Sequence, residues 1–421
     1  MTNVPATTLW GRLLTEYRLF RGCSHNVRTI LVTNMIYGLA MPVVYMFAST
    51  YILRNTDSVS MVVTYQLATY TGIPFAFLIN GFLLRHFHCR HLFSVGMLLS
   101  GASMTIMMMI SHLDLYGVAA AGLMMGVSFG LYWSNRDFLV LSSTDNENRN
   151  YYFGIDSFFG MMIGLLVPIV VGFFIEASPH WLGSINHGYQ VVTGGVFLVA
   201  IAASTVVCRG DFQNPPASRF LFFRFHPLWL RFLGLAAITG LAQGYIVTAP
   251  TMLVTRFVGK EGALGTMQSA GVFLSAVLIY VIGRKTKPHH RIYVFAAGLL
   301  LFAAGGAANA AFFNSTGVII FMLCLLLASP LMGFSYVPIS LLVMDTVSDL
   351  EERNKFAYIL NNEFGLYIGR LTGCLLFILL AYTVSDTVAL RYALLIIGLL
   401  QLASFPLAHS VQKRCNALIK R

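Results

Sequence analysis

Three ionisable residues, Arg136, Asp137 and Asp156, occur in two neighbouring stretches of sequence that are otherwise apolar. An ionisable side chain at the centre of a membrane helix costs about 2.5–3.5 kcal/mol or more, so such residues are candidates for a functional role. Arg136 and Asp156 each lie about six helical residues from the polar segment between the stretches, hence about 9 Å inside the same boundary. We predict an Arg136–Asp156 ion pair, with Asp137 as a competing partner. The pair either neutralises two buried charges or opens and closes as a gate.

A second group of polar residues, Glu363, Tyr367 and Arg370, lies in a later apolar stretch. Their spacing of i, i+4 and i+7 places them on one face of an α-helix, and we expect that face to contact other helices rather than lipid. Arg370 could attract an anionic group of a substrate, and Glu363 could take up and release a proton. A salt bridge within or between helices is the alternative that the sequence leaves open.

The composition requires that most of the chain be surrounded by lipid or by other apolar helices. Hydrophobic residues make up 57% of the 421 residues and charged residues 10%, against roughly 45–50% and about 25% in soluble domains. The mean hydropathy is +0.74. The net charge of +11 is carried by Lys and Arg in short segments between apolar stretches. This distribution is typical of membrane proteins and argues against nucleic acid as a partner.

Twelve apolar stretches are long enough to cross a hydrocarbon core of about 30 Å. They cover residues 29–52, 60–84, 93–111, 115–141, 151–175 and 190–207, and then 232–253, 265–282, 292–312, 317–344, 356–381 and 389–409. We predict an all-α membrane protein with five parts: an N-terminal interfacial segment 1–28, a six-helix bundle 29–207, a linker 208–231, a second bundle 232–409 and a tail 410–421. The short connections leave no room for a soluble catalytic domain.

A polar motif of the form D-x-E-x-R-N occurs twice, at 145–150 and 349–354, after the fourth and tenth stretches. Six stretches is an even number, so the second half re-enters the membrane in the same orientation and the duplication is a parallel repeat. We predict that the charged residues of the two copies form a cytoplasmic gate, although polar turns that only end helices are the alternative. The residues are Asp145, Glu147, Arg149, Asp349, Glu351 and Arg353.

The positions of the basic residues predict how the chain is oriented. Of 27 Lys and Arg, 21 lie in the segments on the side of the two termini, and four lie on the opposite side. Because positively charged segments remain in the cytoplasm, we predict a multi-pass protein of the cytoplasmic membrane with both termini in the cytoplasm.

The twelve stretches, the parallel repeat and the basic linker resemble the major facilitator superfamily over essentially the whole chain. Its loop motif between the second and third helices is degraded: Gly81 and Arg90 match, whereas Arg85 and His88 replace an Asp and a Gly. The resemblance implies two bundles that rock about a cavity lined by the first, fourth, seventh and tenth helices. On those helices the candidate lining residues are Asn34, Tyr37, Trp133, Asn135, Gln243, Tyr245 and Tyr336.

The sequence predicts no catalytic residue, metal site or cofactor. The run 86–91 holds three His and a Cys, but it has two flanking or interrupting Arg and no carboxylate, which favours a membrane-surface turn. The six Cys are scattered without a paired motif. A phosphate-binding loop for ATP is also missing, so an ion or solute gradient is the expected energy source.

We therefore predict a monomeric secondary transporter that moves a small organic solute by alternating access, coupled to protons or another ion and surrounded by lipid. Arg136 and Arg370 favour an anionic solute or an anionic metal chelate, and import over export. The alternatives are an efflux transporter or lipid flippase and, from a different class, a transporter-like membrane receptor without transport.

Overall fold

The computed structural model describes residues 18, 20–110, 113–144, 149–214, 220–259, 261–285, 290–353 and 355–419. Within these ranges the chain is helical and contains no β-strand. Most of the predicted interfacial segment 1–28, namely residues 1–17 and 19, lies outside the described residues.

In the part of the chain that the structure describes, twelve helices are long and apolar enough to span a membrane. The first half of the chain forms α1 (His25–Thr56), α2 (Val59–Leu83), α3 (Cys89–Met109), α4 (Leu115–Ser143), α5 (Arg149–Leu182) and α6 (Ile185–Val207). The second half forms α7 (Pro227–Phe257), α8 (Glu261–Lys285), α9 (Arg291–Ala311), α10 (Ser315–Leu350), α11 (Lys355–Thr383) and α12 (Asp386–Ile419). The predicted all-α fold with twelve membrane helices is confirmed. Several helices extend beyond the predicted apolar stretches, because polar residues at their ends continue the backbone hydrogen bonding.

In the first half, α4 packs against α2 and α3, and α3 also packs against α6. In the second half, α7 packs against α11, and α9 packs against α10 and α12. Glycines allow some of these helices to approach closely. A Cβ atom on Gly244 of α7 would lie only 2.6 Å from the backbone oxygen of Arg370 on α11. This close approach holds the middle of α11 against α7.

Helices α1 and α7, which are related by the repeat, are both interrupted. In α1 the regular helix gives way after Pro42 to a π-helical turn, Val43–Phe47. In α7 the first segment ends at Ile246 and a second begins at Ala249, with Pro250 next. π-Helical turns are common at functional sites because they redirect side chains. Tyr45 lies in this turn.

Contacts between chain segments define two faces of the molecule. On the face that carries the start of α1, called the terminus face, Asn26 Nδ2 donates to the Asp211 carbonyl oxygen and Asn214 Nδ2 donates to that of Phe87. On the opposite face, called the far face, Ser60 at the start of α2 donates to Asp386 at the start of α12 at 2.6 Å.

The two halves meet along α2 and α11 and along α5 and α8. The α5–α8 contact is closest near the far face, where a Cβ on Gly172 would lie 2.6 Å from the carbonyl oxygen of Glu261. Further along α5, a Cβ on Gly164 would be 3.4 Å from Val272, and one on Gly160 would meet nothing within 4 Å. Helices α5 and α8 therefore diverge toward the terminus face.

Candidate functional site

A cavity of about 380 Å³, called the polar cavity, lies between the two halves of the chain. Helices α1, α2, α4, α7 and α11 line it, and three of its residues are charged: Asp137, Glu363 and Arg370. The other lining residues are Tyr45, Gln66, Thr69, Tyr70, Ile73, Phe77, Phe129, Trp133, Gln243, Val247 and Ile359.

Two further cavities adjoin the polar cavity. A mostly apolar cavity of about 420 Å³, called the apolar cavity, shares Tyr45 and Val247 with it. A third, of about 200 Å³, shares Trp133 with it and contains Arg136 and Asp156, and is called the Asp156 cavity. Tyr45 therefore lies between the polar and apolar cavities, and Trp133 lies between the polar and Asp156 cavities. The indole Nε1 of Trp133 donates to the Tyr45 hydroxyl at 3.4 Å.

Arg370 is held in the polar cavity from three directions. Its Nε and Nη2 donate to Gln243 Oε1 at 3.0 and 2.8 Å, and its Nη1 donates to Glu363 Oε2 at 3.2 Å. The guanidinium also lies over the ring of Tyr70, 5.0 Å from the centroid. Gln243 precedes Gly244, so the close approach of α7 and α11 brings the amide within reach of Arg370.

The spacing of Glu363, Tyr367 and Arg370 predicted that they share one face of a helix. In the structure, Glu363 and Arg370 contact each other, whereas Tyr367 contacts a different helix. Glu363 and Arg370 pair and line the polar cavity. Tyr367 instead packs toward α2, where its ring lies 6.4 Å from that of Phe75 and its hydroxyl is 3.3 Å from the Thr71 hydroxyl. Tyr367 thus belongs to the contact between the halves.

Arg136 and Asp156 form an ion pair, with Arg136 Nη2 and Asp156 Oδ2 separated by 2.6 Å. Asn34 of α1 donates to the other oxygen, Asp156 Oδ1, at 3.2 Å and also to the Tyr152 hydroxyl at 2.8 Å. Both oxygens of Asp156 therefore have donors. The guanidinium of Arg136 lies 5.0 Å from the centroid of the Trp133 ring.

Five charged residues line the polar and Asp156 cavities, and Asp137 has the most exposed side chain of the three carboxylates among them. The five are Arg136, Asp137, Asp156, Glu363 and Arg370. The Asp137 side chain is 48% exposed, compared with 18% for Asp156 and 19% for Glu363. Its ion-pair contact is with Arg136 Nη1 at 3.3 Å. The two guanidinium groups face three carboxylates, so the ionised group carries one excess negative charge.

Three of the seven predicted lining residues lie at these cavities. Trp133 and Gln243 line the polar cavity, and Asn34 lines the Asp156 cavity. Tyr37 does not share this position, because its hydroxyl donates to Ser100 of α3 at 2.8 Å and its side chain is fully buried. Residues three apart on a helix differ by about 60° in direction, which is enough to turn Tyr37 away from the space that Asn34 faces.

Asn135, Tyr245 and Tyr336 also lie outside the three cavities. Asn135 exchanges hydrogen bonds with Asn80 of α2 at 2.9 and 3.2 Å, so it joins α4 to α2. Tyr245 and Tyr336 stack on Phe377 and Phe232, at centroid distances of 4.8 and 5.9 Å. These aromatic side chains pack against neighbouring helices because their rings bury more apolar area there than they would in a water-filled space.

Sequence reasoning missed the residues that α2 and the π-helical turn contribute to the polar cavity, among them Gln66, Tyr70 and Tyr45. The expected lining helices were the first, fourth, seventh and tenth, so the second was not considered. A signal was present, since Gln66 and Tyr70 are polar residues at i and i+4 in an apolar stretch.

The structure describes most of the second D-x-E-x-R-N copy, at 349–353, but little of the first. Asp145 and Glu147 lie outside the described residues, and Arg149 begins α5 without a described side chain. In the second copy, Asp349 lies in the last turn of α10. The gate role remains a prediction for all six residues.

Arg353 of the second copy attaches α10 to the linker. Its Nη1 donates to the Arg224 carbonyl oxygen at 2.5 Å and lies 3.3 Å from Glu351 Oε2. Its guanidinium lies over the rings of Phe222 and Phe225, 4.4 and 5.7 Å from their centroids.

On the far face, a buried ion pair joins the two halves. Arg54, at the end of α1, donates to Glu261, which begins α8 and has no exposed surface. The Tyr189 hydroxyl donates to Glu261 Oε1 at 3.0 Å. The sequence did not single out Glu261, because the predicted eighth stretch began at 265 and left it in a connection.

Among the described residues, no group of three or more His, Cys, Asp or Glu is arranged to hold a metal ion. His88 and His91, from the histidine-rich run, contact each other edge to face at 5.8 Å between ring centroids. The charged residues of the cavities can bind charged or polar groups and can exchange protons.

Comparison with known proteins gives one family and several relatives. The model of the Major Facilitator Superfamily matches residues 29–373. The chain is 22% identical over 380 residues to the uncharacterized protein YqgE of Bacillus subtilis (strain 168), covering 88% of this chain and 86% of that protein. It is 25% identical over 184 residues to an uncharacterized protein in the sodM 3' region of Geobacillus stearothermophilus, covering 43% and 79%.

Solved structures share the fold at low sequence identity. A peptide transporter, POT, superposes with a TM-score of 0.67 at 11% identity, covering 96% of this chain and 99% of that one. A bacterial homologue of the iron transporter ferroportin, in an inward-facing state, gives 0.65 at 14%, covering 95% and 99%. The nucleoside transporter NupG gives 0.64 at 10%, covering 94% and 100%.

Proposed function

This chain belongs to the Major Facilitator Superfamily, and from that premise we propose that it is a proton-coupled transporter of a small organic solute in the cytoplasmic membrane. The family and the fold make it a secondary transporter that works by alternating access. Identities of 10–14% to the solved transporters indicate the fold and leave the solute to be argued from the cavities.

One observation carries the proposal: ion-paired groups from both halves of the chain line adjoining cavities. Asp137 comes from α4 of the first half, and Glu363 and Arg370 come from α11 of the second. A solute bound between them would contact both halves at once. Relative motion of the halves would then change the site and its access together, which alternating access requires.

The proposed state is open toward the cytoplasm. Twenty-one of the 27 Lys and Arg lie in the segments of the terminus face, which supports a cytoplasmic position for that face. The Arg54–Glu261 pair joins the halves at the far face, and α5 and α8 diverge in the other direction. All cavity residues come from one chain, so we propose a monomer as the transport unit, with lipid around it.

For coupling, we propose that Glu363 exchanges a proton as its contact with Arg370 forms and breaks. Protonation removes the charge that attracts Arg370 Nη1, so the guanidinium keeps only Gln243 and the Tyr70 ring. Movement of Arg370 would alter the contact of α11 with α7. These steps link proton uptake at Glu363 to a change in the packing of α11 against α7.

The charges of the cavities do not favour the anionic solute or metal chelate that the two arginines alone suggested. Arg136 and Arg370 each have a carboxylate partner, at 2.6 and 3.2 Å. Asp137 adds a further negative charge that faces the polar cavity. An added anion would meet repulsion unless a carboxylate were first protonated.

The experiment is transport in proteoliposomes with a pH-sensitive dye trapped inside. Amines, amino acids, dipeptides and nucleosides are added one at a time, and the internal pH is recorded for wild type, Arg370→Ala and the control Arg414→Ala, an exposed residue near the end of α12. At least one solute should move protons in wild type and in the control, and much less in Arg370→Ala. Solute binding without any flux of solute would instead support the receptor alternative.

A further inference from the structure

The polar cavity contains a carboxylate that is available to a ligand. Arg370 is occupied by Glu363, by Gln243 and by the Tyr70 ring. Among the described side chains, the ion-pair partner of Asp137 is Arg136 at 3.3 Å, and the other terminal nitrogen of Arg136 makes the shorter bond to Asp156. A cation placed near Asp137 would balance the excess negative charge, whereas an anion would add to it.

The walls next to Asp137 suit an organic cation. Trp133 precedes Asp137 by one helical turn, so an aromatic ring and a carboxylate lie on one face of α4. The Tyr45 ring stacks on that of Phe129 at 4.7 Å, and both line the cavity. Rings at this site already hold cations, since Arg136 lies over Trp133 and Arg370 over Tyr70. Cation–π attraction of this kind is used to bind organic ammonium groups.

The apolar cavity supplies space for a hydrophobic part of the same molecule. It shares Tyr45 and Val247 with the polar cavity and has a volume of about 420 Å³. Its walls include Met46, Met161, Leu264 and Val272. Methionine side chains adapt to ligands of different shape, and each cavity is within the usual range of about 300–1,000 Å³ for small-molecule sites.

We propose that the solute is an amphiphilic organic cation, whose charged group binds between Asp137 and the aromatic walls of the polar cavity and whose apolar part occupies the apolar cavity. The proposal rests on the transport function proposed above, and it names the chemical class of the solute.

Two ions of nearly the same size and shape but opposite charge test the proposal. Binding of radiolabelled tetraphenylphosphonium and, in separate samples, of radiolabelled tetraphenylborate to the purified full-length protein in detergent is measured at equilibrium. The variant is Asp137→Asn, and the matched control is Asp57→Asn, an exposed residue at the end of α1 with positive φ, which Asn also adopts readily.

Tetraphenylphosphonium should bind wild type and the control equally, and Asp137→Asn should bind it about tenfold more weakly, as expected for the loss of a charged contact. Tetraphenylborate should bind wild type much more weakly than the cation does. Equal affinity of Asp137→Asn and wild type for the cation, or binding of tetraphenylborate to wild type as tight as that of the cation, overturns the proposal. The comparison of the two ions uses wild type alone, so it decides the matter even if the variant does not fold.

The same assay separates this inference from the transport function. Binding is measured without a membrane or a gradient, whereas transport is measured in proteoliposomes. A protein that moves another solute but does not bind tetraphenylphosphonium overturns the cation proposal alone. A protein that binds it through Asp137 but moves no solute keeps the cation site and overturns transport.

Discussion

Arg54 of α1 donates from Nε and Nη2 to Oε1 and Oε2 of Glu261 of α8, at 2.7 and 2.8 Å. The two residues come from different halves of the chain, and Glu261 has no exposed surface. Tyr189 donates to the same carboxylate. A two-point contact between a planar guanidinium and a carboxylate fixes geometry as well as charge. In the proposed inward-facing state, this pair closes the far face and must break for that face to open.

Glu261→Gln should weaken this closure. The substitution leaves the Arg54 guanidinium without a charged partner. Because 28% of the Arg54 side chain is exposed and water can reach it, we expect a cost below that of a fully buried pair, which is about 3–5 kcal/mol, namely about 1–3 kcal/mol, as for the loss of a charged hydrogen bond. The midpoint of thermal unfolding in detergent should fall, and it should not fall in Glu352→Gln, an exposed glutamate of the terminus face. Equal midpoints in the two variants would contradict a stabilising role for the pair.

Arg136 and Asp156 should act as one unit in transport. Arg136→Ala removes the cation that Asp156 and Asp137 share, and Asp156→Ala leaves Arg136 with only the longer contact to Asp137. We expect each substitution to lower the initial rate about tenfold or more. The double variant should recover part of the rate, because the charges of Arg136 and Asp156 are then both absent. Coupling is measured as the departure of the double variant from the product of the single effects. Strictly multiplicative losses would show that the 2.6 Å contact has no part in the transport cycle.

Arg370→Lys should impair transport although it keeps the positive charge. An ammonium group cannot reproduce the two bonds from Nε and Nη2 to Gln243 while it also reaches Glu363. Under a fixed pH gradient, the transport rate should be lower in Arg370→Lys than in wild type, and it should also be lower in Gln243→Ala. Arg414→Lys is the control. Full activity in Arg370→Lys would mean that charge alone matters at this position.

Gly244→Ala should disturb the contact that positions Arg370. The added Cβ would lie 2.6 Å from the Arg370 carbonyl oxygen and 3.1 Å from its Cα. Since backbone atoms cannot rotate away, α7 and α11 must separate, at a cost of about 1–3 kcal/mol. Both the thermal midpoint and transport should fall. Gly195→Ala on α6, where the Cβ meets nothing within 4 Å, should match wild type. Similar behaviour of the two variants would argue against the close approach.

The sequence by itself determined the features that depend on local composition. Twelve helices followed from apolar stretches, because a chain in lipid must satisfy its backbone hydrogen bonds within each crossing. The Arg136–Asp156 pair followed from equal depth on consecutive helices. A salt bridge between Glu363 and Arg370 was one of the alternatives that helical spacing left open. In each of these cases the partners are on the same helix or on helices joined by a short connection.

The tertiary structure decided which way each helix faces and which distant residues meet. Tyr37 and Asn135 lie on helices expected to line the cavity, yet both pack against neighbours, because the rotation of a helix about its axis is set by packing. Arg54 and Glu261 are separated by 207 residues, so no local pattern could pair them. The excess carboxylate at Asp137 emerged only when five charged side chains from three helices were brought together. The balance of two guanidinium groups against three carboxylates is a property of the assembled cavities, and the cationic solute that we propose follows from it.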